Sequence, residues 1–215
     1  KFFSPMNLGP IFLGIFNIKF ILALHSNLPW IFFTKMPGNY IRNYLMRLLM
    51  KISINNCDKL IVASDYAKQE IVEVLKINQE KVISIYLGID SKYLVQYKDE
   101  KNLDLFDYNN YILSVVSCVK YHNIINLLKA FKLLKRSSLY KLKFVLIIQV
   151  LDRNYFLEIK KYVKTNFKKN EIIFYHNLHS DYLINLYKKA KFYIFSSYCE
   201  VFGFTSLEAM SQRCP

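Results

Sequence analysis

Two glutamates near the end of the chain have the types and spacing that most directly suggest chemistry. Glu200 and Glu208 are separated by seven residues and bracket Gly203. A glycine lets a ligand approach the backbone closely, and a helix that starts just beyond it favours a phosphate at its N-terminus. Carboxylates on either side of such an anion site accept hydrogen bonds from hydroxyl groups. The pattern therefore indicates a site for a phosphate whose neighbours are a sugar and a ribose.

A short apolar segment and a helix-forming segment flank this turn and must position it. Residues 192–195 are apolar and lie between Lys and Ser, which predicts a buried strand. Residues 206–212 contain good helix formers and no helix breaker before Pro215. Gly203 is therefore predicted to lie in a strand-to-helix turn. A buried strand–helix junction with one solvated and one capping glutamate remains an alternative at this point.

Strands and helices alternate along the rest of the chain at the interval typical of parallel α/β sheets. Residues 91–110 interrupt this alternation with polar and charged residues that have no periodicity, which predicts a linker between two domains. The predicted strands are 17–24, 58–63, 81–86, 111–116, 142–150, 172–175 and 192–195. The predicted helices are 39–53, 65–76, 123–135, 152–164, 179–190 and 206–212.

The composition is that of a globular protein with a large positive charge. The chain has 215 residues, 53% of them hydrophobic, and a net charge of +14, which is ample for a sizeable core. Of the 30 basic residues, 25 are Lys and 5 are Arg, whereas recognition of phosphate and bases relies on Arg. The charge therefore favours an anionic membrane surface as a partner over nucleic acid, and AT-rich coding accounts for part of it.

The cysteines, the longest apolar run and the chain ends bear on the cellular compartment and on the completeness of the chain. Four widely spaced cysteines form no Cys-x-x-Cys pair, so neither a metal site nor a disulfide framework is indicated. This favours a reducing cytoplasm. Residues 11–24 are the richest apolar run, but they include Asn17 and Lys19 and are too short and polar to predict a membrane span. The chain begins with Lys1 and stops directly after the motif, so we expect it to be truncated at both ends.

The predicted helix 39–53 has two interpretations that the sequence leaves open. Its apolar positions fall on one face, and they either pack against the sheet or lie on a membrane surface beside the basic residues of the same helix. The apolar positions are Ile41, Tyr44, Leu45, Leu48 and Ile52.

The segment from Ser197 to Met210, which reads SYCEVFGFTSLEAM, resembles the signature of glycosyltransferase family 4, a group of retaining GT-B enzymes. Four further segments resemble other motifs of the same family. They are 58–64 (DKLIVAS), 88–90 (GID), 122–131 (HNIINLLKAF) and 186–190 (LYKKA).

The resemblance implies a GT-B fold: two Rossmann-like domains with parallel sheets facing a cleft, both incomplete in this chain. We assign residues 1–95 to the N-terminal, acceptor-side domain, 96–110 to the linker and 111–215 to the C-terminal domain, which binds the nucleotide sugar.

The same resemblance implies the reaction. A hexose passes from a nucleoside-diphosphate sugar to an acceptor hydroxyl of a glycan or lipid-linked acceptor with retention of configuration, in the synthesis of a cell-surface glycan or glycolipid. No metal and no further cofactor is expected. The implied location is the cytoplasm, with peripheral association on the inner face of the membrane left open.

Roles for individual residues follow from the resemblance. Backbone N–H groups around Gly203, Phe204 and Thr205 are expected to hold the diphosphate, and Glu208 to accept hydrogen bonds from the ribose. Glu200 is expected to act at the donor sugar.

His25, which follows the strand 17–24, has two interpretations. In the family a histidine at this place borders the acceptor side of the cleft, so His25 joins Glu200 as a candidate catalytic residue. Alternatively it is a loop histidine satisfied by the backbone.

Two departures from the family pattern weaken the expected positive charge at the diphosphate. Ser117 and Cys118 stand where many members have an Arg, and His122 stands where they have a Lys. Lys120 is a candidate substitute, and His122 supplies charge only if its pKa is raised. Two other classes therefore stay open: a non-catalytic nucleotide-sugar-binding remnant, and a basic protein that binds a membrane or nucleic acid.

Overall fold

The chain forms two compact α/β units. The structure is a computed structural model that describes residues 1–10, 18–94, 110–135 and 142–215. The first unit consists of residues 1–88 together with 199–202, and the second of residues 89–198 together with 203–215. The predicted linker 96–110 lies, apart from residue 110, outside the described residues, so the predicted domain limits stay a prediction.

The first unit is built on a four-stranded parallel sheet with strand order β1-β2-β3-β4. The strands are β1 (Phe2–Ser4), β2 (Phe20–Leu24), β3 (Lys59–Val62) and β4 (Val82–Ser84). The helices of this unit are α1 (Leu28–Ile31), α2 (Tyr40–Asn56) and α3 (Asp65–Leu75).

The second unit has a four-stranded parallel sheet with strand order β7-β6-β5-β8. Its strands are β5 (Tyr111–Cys118), β6 (Lys143–Val150), β7 (Ile172–Tyr175) and β8 (Phe192–Tyr193). Its helices are α4 (Ile124–Leu134), α5 (Arg153–Asn166), α6 (Ser180–Lys189) and α7 (Phe204–Ser211).

Strand β5 is an interior strand of the second sheet, and most of its side chains are apolar. It pairs with β6 on one side and β8 on the other, and six of its eight residues are buried. A near-continuous apolar run is typical of a parallel strand covered on both faces. One of its faces packs against α4 and α5 and the other against α6 and α7.

Short polar side chains cap the beginnings of helices α3 and α5. The Ser64 hydroxyl accepts a hydrogen bond from the Ala67 amide at 3.1 Å, and the Asp152 carboxylate accepts one from the Tyr155 amide at 3.0 Å. Each satisfies an amide that has no partner inside its helix. The predicted alternation of strands and helices is confirmed.

Helix α2 does not pack its apolar stripe against the sheet. Ile41, Tyr44, Leu45 and Leu48 are exposed, and the side that is buried carries two polar and two apolar residues: Asn43, Met50, Ser53 and Ile54. The core-packing interpretation is therefore wrong for these four residues, and Ile52, the fifth residue of the predicted face, is half-buried. Among the described residues, no helix is both long and apolar enough to cross a bilayer.

Candidate functional site

Strand β8 pairs in parallel with the first part of β5, with Leu113 opposite Tyr193, so the chain that follows β8 runs toward the carboxyl end of β5. The turn Lys120–His122 follows β5. The segment after β8 is bonded to this turn: the Ser196 hydroxyl donates to the His122 carbonyl at 2.9 Å, and the Tyr198 amide donates to the Tyr121 carbonyl at 2.9 Å. Ligands of open α/β sheets bind at such carboxyl ends.

His122 lies in this turn as a neutral residue. Its side chain is buried, and burial lowers the pKa of the imidazole to about 4, against a smaller opposing effect of a hydrogen bond to the Ser117 backbone. The condition under which His122 supplies positive charge is therefore not met. Its Nδ1 is buried without a hydrogen-bond partner among the described residues. Lys120 is exposed at the start of the same turn.

Gly203 occupies the turn that the sequence predicts. It is buried, and its backbone is left-handed, with φ 84° and ψ 51°, a conformation that costs a residue with a Cβ roughly 1–2 kcal/mol. Its carbonyl accepts the first bonds of α7, from the Ser206 amide at 3.0 Å and the Leu207 amide at 3.3 Å. Phe204 and Thr205 consequently form the first turn of α7, where the positive end of the helix dipole lies.

The Thr205 side chain ties the start of α7 to the sheet. The Tyr193 hydroxyl lies 2.7 Å from the Thr205 Oγ1 and 3.4 Å from the carbonyl oxygen of Val115 in β5. The sequence predicted a backbone role for Thr205, and the structure adds this side-chain contact. Through Tyr193, the first turn of α7 is thereby linked to the middle of β5.

Glu208 lies one turn further along α7 and is held by two tyrosines. The Tyr187 hydroxyl donates to its Oε2 at 3.1 Å, and Tyr93 also hydrogen-bonds to the carboxylate. Burial raises the pKa of Glu208, and the hydrogen bonds from Tyr187 and Tyr93 oppose that rise. The carboxylate is fixed in place, as an acceptor for ligand hydroxyls must be.

Sequence reasoning missed both tyrosines as site residues. Tyr187 belongs to the predicted helix 179–190 and to the segment 186–190, which resembles a family motif, but neither pattern marks it as a site residue. Its side chain is fully buried, whereas Glu208 is half-buried. Tyr93 lies in residues 91–110, which the sequence indicates only as an irregular segment, so no local pattern marks it.

Glu200 belongs to the first unit, in the segment Cys199–Phe202. The Ser64 hydroxyl, which begins α3, donates to the Val201 carbonyl at 2.9 Å, and the Phe202 ring meets the Tyr86 ring edge-on at 6.4 Å. These contacts anchor the segment while the Glu200 side chain is exposed. Burial, with smaller contributions from Glu70 and Glu200, raises the pKa of the Cys199 thiol to about 11, so it is a protonated thiol at neutral pH.

His25 lies just beyond the carboxyl end of β2, and it is exposed. Its Nε2 is 2.7 Å from the Pro5 carbonyl oxygen, and its amide donates to the Asn7 side chain at 2.6 Å. His25 therefore lies just past the end of a strand and has a backbone partner for its ring, an arrangement that is compatible with either role. Both interpretations of His25 stay predictions.

The second unit thus brings together most of the predicted donor-site residues: the Lys120–His122 turn, Gly203, Phe204, Thr205 and Glu208. Glu200 and His25 belong to the first unit. The arrangement in the second unit combines a helix N-terminus, a lysine and a fixed carboxylate, which suits a phosphate ester with hydroxyl groups. No group of three or more His, Cys, Asp or Glu side chains is placed to hold a metal ion within the described ranges.

Two curated relatives with similar sequences are bacterial mannosyltransferases. The chain is 26% identical over 179 residues to the O-antigen chain mannosyltransferase RfbU of Salmonella typhimurium, covering 83% of this chain and 47% of RfbU. It is 26% identical over 202 residues to the serotype-specific mannosyltransferase WbdA of Escherichia coli, covering 91% of this chain and 24% of WbdA. The chain therefore spans about half of one relative and about a quarter of the other.

Solved structures show the same fold. Sucrose-phosphate synthase of Thermosynechococcus elongatus superposes with a TM-score of 0.72 at 20% identity, over 93% of this chain and 49% of that one. The family model for Glycosyltransferase Family 4 matches residues 2–93, and the model for glycosyl transferases group 1 matches residues 95–215, more than half of the chain. Sequence and fold agree, and the chain belongs to the glycosyl transferases group 1 family, with the GT-B type of fold.

Proposed function

We propose that the complete protein transfers mannose from a nucleoside-diphosphate mannose to a hydroxyl of a growing cell-surface glycan, with retention of the anomeric configuration. Similarity to the mannosyltransferases RfbU and WbdA supports mannose as the sugar, and the O-antigen chain activity of RfbU supports a cell-surface glycan as the product. The signature 197–210 supports a retaining reaction through the family resemblance. The acceptor is a glycan or a lipid-linked glycan.

The observation that carries the proposal is the fixed carboxylate of Glu208 one turn into α7. Two tyrosines hold it, and the same helix begins at a buried left-handed glycine. In this proposal the start of α7 binds the diphosphate, and Glu208, one helical turn further along, accepts hydrogen bonds from the ribose. This pairing of an anion site with a hydroxyl acceptor fits a nucleoside diphosphate better than it fits free phosphate or a free sugar.

The proposed steps use groups of this chain. Amide groups at the start of α7 and the Lys120 ammonium stabilise the negative charge that develops on the leaving diphosphate. His122 does not contribute charge, because it is neutral at neutral pH. Glu200 accepts hydrogen bonds from hydroxyls of the donor sugar, and the departing phosphate assists attack by the acceptor on the same face of the sugar. In this proposal His25 is the acceptor-side residue. The reaction needs no metal ion, and the protein works in the cytoplasm.

Assays of the complete protein test this function. We expect GDP-mannose or another nucleoside-diphosphate mannose to bind and to be consumed with an oligomannoside acceptor. The α-configured donor should give an α-linked product, and the one-bond carbon–hydrogen coupling at the new anomeric centre measures this configuration. Activity should persist in EDTA. Inversion of the centre, or a requirement for added metal ions, contradicts the corresponding part of the proposal, and consumption of only other nucleotide sugars contradicts mannose.

A second candidate is a nucleotide-sugar-binding protein without transferase activity. It is favoured by the neutral His122 and by Ser117 and Cys118, which leave Lys120 as the cation of the turn after β5. Binding of the nucleotide sugar with tight affinity, but with no transfer and no hydrolysis by the complete protein on any acceptor tried, establishes this alternative.

A further inference from the structure

Helix α2 exposes its apolar side to solvent. Positions 41, 44, 45 and 48 follow the spacing of one helical stripe, and the exposed fractions of Ile41 and Leu45 are 68% and 52%. Tyr44 and Leu48 are exposed as well. A stripe of four large apolar side chains in water is unfavourable unless it meets a partner.

Polar contacts on the opposite side hold α2 in this orientation. The Asn43 amide donates to the Pro37 carbonyl at 3.1 Å. The Ser53 hydroxyl donates to the Gly9 carbonyl and accepts from the Gly9 amide, both at 3.2 Å. Both side chains are buried. Rotating α2 to bury its apolar stripe would strand these polar groups, each at a cost of roughly 1–3 kcal/mol. The exposed stripe is therefore a built feature of the fold.

Positive charge flanks the stripe and extends over the first quarter of the chain. Arg42 lies along one side of the stripe, and Arg47 and Lys51 lie along the other, as follows from 3.6 residues per turn. Residues 1–57 contain six Lys or Arg and no Asp or Glu. An apolar stripe bordered by cations is the pattern of helices that lie in the interface of an anionic bilayer.

A cavity of about 450 Å³ opens beside the same helix. Three of its described lining residues are the cations Arg47, Lys51 and Lys76, and no described lining residue is acidic. Its walls include the Trp30 and Tyr44 rings, and such rings favour the headgroup level of a membrane. The size and charge of this cavity suit the phosphate of a lipid headgroup.

We infer that α2 docks on an anionic phospholipid bilayer, with its apolar stripe at the boundary between headgroups and acyl chains and a lipid phosphate in the cavity beside it. This surface is separate from the donor site and does not depend on the proposed glycosyl transfer. Nucleic acid fits it less well, because the centre of the surface is apolar and the cations stand at its margins.

Vesicle binding by the complete protein tests the inference. We expect sedimentation with phosphatidylcholine vesicles that contain phosphatidylglycerol and little sedimentation with phosphatidylcholine alone. Arg47→Gln with Lys51→Gln should weaken binding by roughly 30-fold, since each basic residue near an anionic surface contributes about 1 kcal/mol. The matched control, Lys161→Gln with Lys164→Gln, removes the same charge from α5 and should bind as the unchanged protein does.

A second pair separates apolar docking from simple charge attraction. Tyr44→Ser with Leu48→Ser leaves the charge unchanged, and both side chains are exposed, so folding should be retained by circular dichroism. We expect this pair to lose vesicle binding that persists in the unchanged protein at high salt. Emission of Trp30, isolated by comparison with Trp30→Phe, should be quenched by brominated lipid in the unchanged protein.

Three results would overturn the inference. The first is equal binding of the unchanged protein to anionic and neutral vesicles, or to neither. The second is equal loss of binding in the α5 control and in the α2 charge pair. The third is self-association or oligonucleotide binding that depends on Tyr44 and Leu48 while vesicles are not bound.

Discussion

The second unit partly or fully buries two polar side chains, the Glu208 carboxylate and the His122 imidazole, whereas the first unit exposes the apolar side of helix α2. Glu208 is held by buried hydroxyl groups and His122 is neutral, while Ile41 and Leu45 of α2 are exposed. A small polar ligand is bound best by polar groups already fixed and partly dehydrated. An extended lipid surface is bound best by apolar side chains that are exposed beforehand. The buried polar groups of the second unit thus favour a small polar ligand, and the exposed apolar side chains of the first unit favour a lipid surface.

The largest expected effect comes from truncating a buried apolar residue of α4. The matching truncation of an exposed apolar residue of α2 serves as the comparison. Phe131 of α4 is 2% exposed and packs on Phe144 with ring centroids 5.2 Å apart. We expect Phe131→Ala to lower the unfolding free energy of the second unit by about 3–5 kcal/mol. Leu48→Ala in α2 should change the unfolding free energy by no more than about 0.5 kcal/mol.

Urea unfolding of the complete protein, followed by circular dichroism, measures both changes. If Leu48→Ala costs as much as Phe131→Ala, the stripe of α2 is buried in the complete protein and the comparison between the units fails.

The next effect concerns the fixed carboxylate. Glu208→Ala should weaken binding of a nucleoside diphosphate by about 1.5–3 kcal/mol, the scale of a hydrogen bond to a charged group. Glu158→Ala, at an exposed position of α5, removes the same charge and should leave affinity unchanged. Titration calorimetry on the complete protein measures both, and equal affinities for the Glu208 variant and the unchanged protein contradict the ribose role.

The smallest effect is a pH dependence that arises from His122. Its pKa of about 4 in the folded chain is below the ordinary 6.5, so its neutral form is favoured by folding. The corresponding stability is complete above pH 6.5 and is lost as the pH falls through 4. Between pH 7 and pH 5 this amounts to about 2 kcal/mol, which His122→Gln should remove.

His179 provides the control because it is exposed in the same unit. The stability of His179→Gln should fall with acid as that of the unchanged protein does. An unchanged acid dependence in His122→Gln would mean that His122 is accessible to water in the complete protein.

The sequence predicted the elements of the site better than their surroundings. Gly203 was placed correctly in a strand-to-helix turn because a glycine followed by strong helix formers is a local signal. The direction in which α2 faces was not predictable, because the stripe at 41, 44, 45 and 48 has the same period whether it faces a sheet or solvent. Only the burial of Asn43 and Ser53, which depends on distant residues such as Gly9, decides between them.

Other features depend on contacts that no local pattern encodes. Strand β1 has three residues, too few to establish a period. Strand β8 was expected over 192–195, but its ladder covers only Phe192 and Tyr193. The low pKa of His122 results from burial beneath the segment that follows β8, about 74 residues later in the chain. The hydroxyl bond from Tyr187 to Glu208 likewise joins residues on separate helices.

The pairing of β5 with β8 has a consequence for the order of assembly. The pairs β5–β6 and β6–β7 join residues about 30 positions apart in the chain, whereas Phe192 pairs with Ile112 across 80 positions. Closing so long a loop is costly until other contacts restrain it. During synthesis the last strand and Gly203 also leave the ribosome after every other strand of the sheet. We therefore expect β5, β6 and β7 to pair before β8 and the Gly203 turn join them, and pulse-labelled hydrogen exchange should show β8 protected last.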